Sequence, residues 1–394
     1  MSENPSSLDK LFSDAEKNAA ENGAAGRGYS EGSHGAATAQ ESRRPRDGGS
    51  RRSSRDKKKN RALRNTLIVV GSLIVLLGIA AAIVYALLAN TFNDIQRVSI
   101  EQDPSLKRPE AVKVAPGQKA PINILLLGSD SRESTDRNAS VEDLTGFRSD
   151  AIMVAQISPD RKDVTVMSIM RDNWVEIQGH GEAKINAAFS YGGLPLAVNT
   201  IENFIDARID HVALVDFESF KGLTDALGGI TVHNDIAFVN QNGGSSSFKE
   251  GDITLNGEEA LSFVRERYAF VDGDYQRARN QQAYLKGLMN KLMSGDTLRD
   301  PGKLTDTFQA IKPYLILDED LDLTTSVRLG YELRELRGDK VTFFTSPTNG
   351  TGTSADGQSI ILPNWDKMAE VQKAFRSGTL NKYAAGLEKG SEMP

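Results

Sequence analysis

The sequence predicts a mixed α/β domain held outside a membrane by one N-terminal span, and three observations carry that prediction. From about residue 121 onward, strand-like apolar runs alternate with helix-like segments. Before them lies an uncharged stretch of 23 residues, Leu67 to Ala89. Residues 1–65, ahead of that stretch, lack the apolar side chains a core requires.

Residues 1–65 are mostly Gly, Ser, Ala, Asn, Arg and Lys with scarcely an aromatic, and burying them could not offset chain entropy. They are expected to form a disordered, basic cytoplasmic arm. Residues 66–89 are expected to form a transmembrane helix, since about 20 apolar residues suffice to cross a ~30 Å hydrocarbon layer. Eleven Lys and Arg lie between residues 43 and 64, whereas the other flank opens with Asn90, Asn93 and Asp94. The positive-inside rule therefore places the N-terminus in the cytoplasm and everything after Asn90 outside. A cleaved signal peptide is the alternative, but the run is long for one and no A-x-A site precedes a polar shift.

Beyond residue 65 the chain carries 33 Lys and Arg against 44 Asp and Glu, a net charge of −11. Such an acidic ectodomain disfavours nucleic acid as a partner, and the basic run at 43–64 is assigned to topology and anionic-lipid contact. The chain has no cysteine. Disulfides, thiol nucleophiles, iron–sulfur ligation and thiolate zinc are thereby excluded, and the composition leans toward a single-membrane bacterium.

Residues 90–120, with Pro104, Pro109 and Pro116, read as a stalk, residues 121–382 as the folded domain and 383–394 as a loose tail. The strand candidates are INILLLGSD, DAIMVAQI, DVTVMSIM, WVEI, HVALVDF, ITVHNDI and, late in the chain, VTFFTSP from Val341. Helices are expected over Leu194–Ala207, Phe217–Leu227, Gly257 to about Arg265, Tyr275–Met293, Leu304–Tyr314 and Thr324–Leu336. Gly228-Gly229 closes the second and Asn256 caps the third.

Much of the catalytic repertoire is missing. His34, His180, His211 and His233 are scattered without metal spacing, and neither a G-x-S-x-G elbow nor a Walker A loop is present. What remains is a series of arginines set beside aspartates. Asp130 and Arg132 follow one strand, Arg148 and Asp150 open the next on a shared face, and Arg171-Asp172 ends the third. Arg265 and Arg267 sit at a helix end, and Asp274, Arg277 and Gln281 form one helical stripe. Any single pair reads as a surface salt bridge. Together, guanidiniums and carboxylates at strand-end loops meet the needs of a pyrophosphate with Mg²⁺, for which Asp130 and Asp150 would supply hard oxygens.

Seven ordered segments make the pattern specific: NILLLGSDSR, FRSDAIMV, SIMRD, KINAAFSYGG, VDFESFKGLTDALGGITV, GEEALSFVRERY and DYQRARNQQ. Over about Pro121 to Leu298 the chain resembles the LytR-CpsA-Psr family of bacterial cell-wall glycopolymer transferases. The resemblance implies a three-layer α/β/α domain with a central mixed sheet. It implies a polyprenyl-pyrophosphate-linked glycan donor whose tail lies in an apolar tunnel, and an acceptor in peptidoglycan or on a surface glycan or protein. It further implies Asp130 and Asp150 as magnesium ligands and Arg148, Arg171, Arg265, Arg267 and Arg277 as pyrophosphate ligands, supported by Asp274 and Gln281. Arg132 and Arg279 match the family pattern less closely and are expected to join Arg277 and Gln281 in binding the substrate. The family usually has proline where this chain has Met170, and the loop between Asp130 and Asp150 is longer than usual; neither removes a charged group. The expected reaction is Mg²⁺-dependent phosphoryl transfer releasing polyprenyl phosphate, with Asp172 or Asp274 as the base. The tunnel is expected among the helices at 194–227 and 257–293. A lipid-pyrophosphate hydrolase and a non-catalytic membrane-anchored regulator are the alternatives.

Overall fold

Alternation along three neighbouring strands builds the core. In Ile122–Ser129 (β2), Leu125 and Leu127 enter one apolar cluster while Ile122, Ile124 and Leu126 pack into another. Ser149–Ile157 (β3) sends Ile152 and Val154 to the first cluster and Met153, Ala155 and Ile157 to the second. In Val164–Ile169 (β4) all six residues are buried, because successive side chains point to opposite, equally covered faces. This computed structural model describes residues 95–100, 104–129, 149–242, 246–293, 301–336 and 338–387. The expected arm (1–65) and span (66–89) lie outside the described residues, as do Asp130, Arg132 and Arg148. Contacts divide the chain after residue 73, and every described residue belongs to the second unit. Among the described residues no helix is long and apolar enough to cross a membrane.

The central sheet is completed by Gln96–Val98 (β1), His211–Asp216 (β5), Ile316–Asp318 (β6) and Val341–Thr345 (β7), in the order β1-β6-β5-β2-β3-β4-β7. It is mixed: β1 runs parallel to β6, β5 to β2 and β4 to β7, and the remaining pairs are antiparallel. The helices are Ala187–Ile205 (α1), Phe217–Ala226 (α2), Gly257–Arg265 (α3), Asp274–Leu292 (α4), Pro301–Ile311 (α5), Leu323–Glu332 (α6), Trp365–Ser377 (α7) and Leu380–Ala385 (α8). Helices α1, α7 and α8 cover the first face of the sheet, while α6 and the side chains Leu285 and Met289 of α4 cover the second. The three expected layers are therefore present.

Beside the second face lies an appended lobe of α2, α3, part of α4 and the ribbon formed by Ile230–Asn234 and Gly251–Leu255, with Phe263 at its centre. Its approach is close. A Cβ at Gly287 of α4 would meet the Thr231 carbonyl oxygen at 2.4 Å, so only glycine lets this helix lie on the ribbon.

Four expectations change. The supposed stalk is, in its described parts, built into the domain. β1 joins the sheet, and residues 105–109 are tied down by Gln178, Asn199 and Arg208. Helix α1 begins at Ala187, with a kink at Gly192 and Gly193, and not at Leu194. Helices α7 and α8 and the hairpin of Thr348–Thr353 with Ser359–Pro363 were not anticipated. The tail expected to loosen at residue 383 is still helical to Ala385, because Ala384 is buried against the first cluster.

Arg108 illustrates how the supposed stalk is held. The Glu202 side chain is fully buried and accepts from Arg108 Nε at 2.7 Å, Arg108 NH2 at 2.5 Å and the Ile209 amide at 2.9 Å. Removing the guanidinium would leave a buried carboxylate with a single donor. Arg108→Ala should therefore lower unfolding stability by about 2 kcal/mol, read as an earlier urea midpoint by tryptophan fluorescence.

Candidate active site

Strand direction gathers the first charged groups. Antiparallel pairing places the start of β3 beside the end of β4, with Ile152 opposite Ile169, and parallel pairing sets Ser129 of β2 opposite Asp216 of β5. Asp150 and Arg171 thus meet at one end of the sheet, where Arg171 NH1 donates to Asp150 Oδ1 at 2.5 Å. Burial disfavours the Arg171 guanidinium, but Asp150, Asp172 and Asp274 outweigh it and hold its pKa above the ordinary value. Its Nε is buried without a hydrogen bond and stands 3.8 Å from Asp172 Oδ2. Asp172 itself pairs with Lys184 at 3.2 Å.

Helix α3 delivers the next pair. It starts at a capping box, in which Asn256 accepts from the Glu259 amide and the Glu259 side chain accepts from the Asn256 amide. It ends at Arg265, and Glu266 turns extended with φ −67° and ψ 133°, so Arg265 and Arg267 can both reach one cavity. Arg265 lies over the Phe217 ring at 4.3 Å, and Arg267 NH2 donates to the Tyr268 hydroxyl at 2.6 Å.

Glu266 is the residue that sequence reasoning passed over. Fully buried, it takes the Gln241 and Asn242 amides on one oxygen at 2.7 and 3.2 Å. The other oxygen takes the amides of Arg267, Tyr268 and Ala269 at 2.9, 2.7 and 3.0 Å. Burial opposes its charge, but the amides of Ala269, Gln241, Tyr268 and Arg267 prevail and hold its carboxyl below the usual range. A glutamate flanked by two arginines looks like a charge-balancing spacer. Only the fold shows that it fixes the backbone of both neighbours and of the loop bearing Asn242.

Helix α4 contributes one stripe, Arg277, Gln281, Tyr284 and Leu288, spaced to share a face. Asp274 in its first turn bridges Arg277 at 3.1 Å and Arg267 at 3.6 Å. Burial pushes the Arg277 guanidinium below its ordinary pKa, and the nearby charges of Arg171 and Arg267 push the same way. Gln281 donates to the Val264 carbonyl at 3.4 Å. The Tyr284 hydroxyl is bonded to Thr224 at 2.7 Å, and burial pushes its pKa up to about 12. Arg279, two residues from Arg277, does not line the cavity; it pairs with Asp272 and donates to Gln276 from Nε at 2.8 Å.

These side chains edge a cavity of about 500 Å³. Its polar end carries Asp150, Arg171, Asp216, Arg265, Arg267 and Arg277, four cations against two anions, in a domain that is acidic overall. Its walls are apolar, from Leu126, Met153 and Ala213 of the sheet to Leu223, Leu261, Val264 and Leu288 of α2, α3 and α4. Helix α1 takes no part, since it packs on the opposite face of the sheet. The geometry suits an amphiphile with a strongly anionic head. Among the described residues no group of three or more His, Asp or Glu converges to hold a metal.

Glu266 yields a prediction with a defined sign. Its depressed pKa means that the ionised form adds stability that is complete above about pH 5, where an unfolded Glu (~4.3) is ionised. That stability is lost as pH falls through the lower folded value. Glu266→Gln should cost about 2–3 kcal/mol at neutral pH, and urea titrations should show a smaller loss of stability on acidification than the parent chain shows.

The fold agrees with known proteins. The LytR_cpsA_psr family model matches residues 84–377. The polyisoprenyl-teichoic acid--peptidoglycan teichoic acid transferase TagU of Bacillus licheniformis is 32% identical over 296 residues, covering 73% of this chain and 90% of the relative. Its Bacillus subtilis namesake is 31% identical over 326 residues, 82% of this chain and 98% of the relative. Among solved structures, B. subtilis TagV superposes with a TM-score of 0.56 at 26% identity, covering 66% of this chain and 98% of its own. TagT bound to LI-WTA gives a TM-score of 0.56 at 27% identity, covering 72% and 99%. With a family model spanning most of its length and these relatives, the chain belongs to the LytR-CpsA-Psr family.

Proposed function

We propose that the protein transfers a phosphate-linked glycopolymer from a polyprenyl-pyrophosphate carrier to peptidoglycan, outside the cell membrane in which residues 66–89 anchor it. The observation that carries this reading is the joining of four arginines to one cavity of about 500 Å³ with apolar walls. Diphosphate and hydrocarbon are the two halves of such a donor. The named activity of the TagU relatives, on polyisoprenyl-linked teichoic acid and peptidoglycan, supports the same class of donor and acceptor.

In this mechanism Arg171, Arg265, Arg267 and Arg277 hold the pyrophosphate oxygens, and the free Arg171 Nε–H gains the acceptor it lacks. An acceptor hydroxyl oxygen attacks the phosphorus that carries the glycan. The bridging P–O bond breaks toward the lipid, polyprenyl phosphate leaves, and a phosphodiester joins glycan to acceptor. The hydroxyl proton passes to a carboxylate, Asp172 or Asp274. Asp274 is clasped between Arg267 and Arg277, and Asp172 between Lys184 and Arg171. Asp150 at the cavity and Asp130, the second ligand expected from the sequence, would hold a Mg²⁺, since carboxylate oxygens are the hard donors that ion takes. Bound there, the ion would draw negative charge from the pyrophosphate.

The test is turnover by the full chain in detergent with a lipid-linked donor and a peptidoglycan fragment. Polyprenyl phosphate and a glycan–acceptor phosphodiester should appear together, and chelation of Mg²⁺ should suppress both. Lipid phosphate released without acceptor incorporation would mark a hydrolase, and binding without turnover a regulator. Arg171→Ala should lower kcat/KM by roughly 10²–10³-fold without unfolding the domain. Leu288→Trp, which fills the apolar wall, should raise KM for long-chain donors about tenfold and leave short-chain donors nearly unchanged.

A further inference from the structure

The donor proposed above lives in a bilayer, and two observations bear on how the cavity would face it. The first is the direction in which the chain enters the sheet. Gln96 of β1 pairs with Ile316 of β6, and Ile316 with Leu214 of β5, so β1 begins at the sheet end that carries Asp216, Asp150 and Arg171. Buried Ile95 packs with Leu315, which itself lines the cavity. The apolar run ends at Ala89, six Cα steps earlier. A fully extended chain covers about 3.5 Å per step, so this end of the sheet lies within roughly 20 Å of the end of that run.

The second observation is a set of exposed apolar side chains that meets the cavity at Tyr268. Val271 is 110% exposed, Tyr268 57%, Val239 54% and Ile236 48%. They belong to two segments that the Phe238 and Phe270 rings lock together edge to face, with centroids 4.7 Å apart. Tyr268 has a double role, because it also lines the cavity. Elsewhere on a soluble surface, apolar side chains grouped in this way mark a contact.

We propose that Ile236, Val239, Tyr268 and Val271 form a docking surface for the lipid bilayer, holding the cavity mouth in the interface so that a lipid chain enters without crossing water. The proposal rests on the reading of residues 66–89 as a membrane span and extends the proposed donor class to its route of entry. Exposed Asp235 and the Asp272–Arg279 pair flank the patch, which limits contact to the headgroup boundary.

The chain has no cysteine, so a single introduced thiol can carry an environment-sensitive fluorophore. Val271→Cys, Asn90→Cys and Lys162→Cys would be labelled in the full chain, reconstituted in phosphatidylcholine vesicles with or without acyl-chain-brominated lipid and no donor. Lys162 is exposed in the β3–β4 turn, at the opposite end of the sheet. Quenching at 271 and 90, with none at 162, is the expected result. Quenching at 90 but not at 271 overturns the docking surface while the span stands; quenching at neither overturns both. A second variant, Val271→Asp, should lower turnover of vesicle-borne donor severalfold and leave that of a water-soluble short-chain donor unchanged. Equal effects on the two donors would also overturn the docking surface, and a loss of quenching with intact turnover would leave the transferase reading untouched.

Discussion

Arg277 keeps its guanidinium largely out of water with Arg171 and Arg267 close enough to disfavour its charge, and the architecture of the site follows from the need to hold these like charges together. Isolated, such a group would be costly to bury, and the pKa shift of Arg277 registers that cost. Asp150 and Asp274 offset part of it. They leave donor capacity unused at Arg171 Nε, and that excess of positive charge beside hydrocarbon walls is what a lipid pyrophosphate would complete.

The scaffold supplies the positions by three independent devices. Mixed strand directions bring the start of β3 and the ends of β4 and β5 to one edge, so Asp150, Arg171 and Asp216 need no long loops to meet. Helix α4 presents Arg277 and Gln281 above Tyr284 and Leu288, so the polar and apolar ends of the cavity are two levels of a single helical face. Between them, Glu266 uses five backbone amides from two segments to set Arg265 and Arg267 at the break after α3. A carboxylate so fully satisfied rigidifies without competing for the ligand.

Several of these features are legible in the sequence because they repeat a local rule. Short apolar runs reveal β2 to β5, and helix spacing reveals the Arg277–Gln281 stripe. Arg171 and Asp150 stand at strand ends, where loops carry chemistry. Other features need three dimensions. The three-residue strands β1 and β6 hold Arg97 and Asp318, and nothing local marks them as sheet. The Asp318 carboxylate is held by His211 and the amides of Val212 and Leu321, the first of them 107 residues away. Arg279 reads as a twin of Arg277, yet two residues along a helix is a turn of about 200°, and it faces Asp272. Amphipathic pattern likewise cannot say which face of a sheet a helix covers, which is why α1 was expected beside the cavity and lies on the other side.

The central claim concerns a diphosphate head recognised together with a hydrocarbon tail. Its most direct test is equilibrium binding of a matched short-chain series to the full protein with Mg²⁺ present: polyprenyl pyrophosphate, polyprenyl monophosphate and polyprenol. The account predicts affinity falling in that order, with added salt weakening the pyrophosphate most, the monophosphate less and the uncharged polyprenol hardly at all. Equal binding of all three, insensitive to salt, would contradict it.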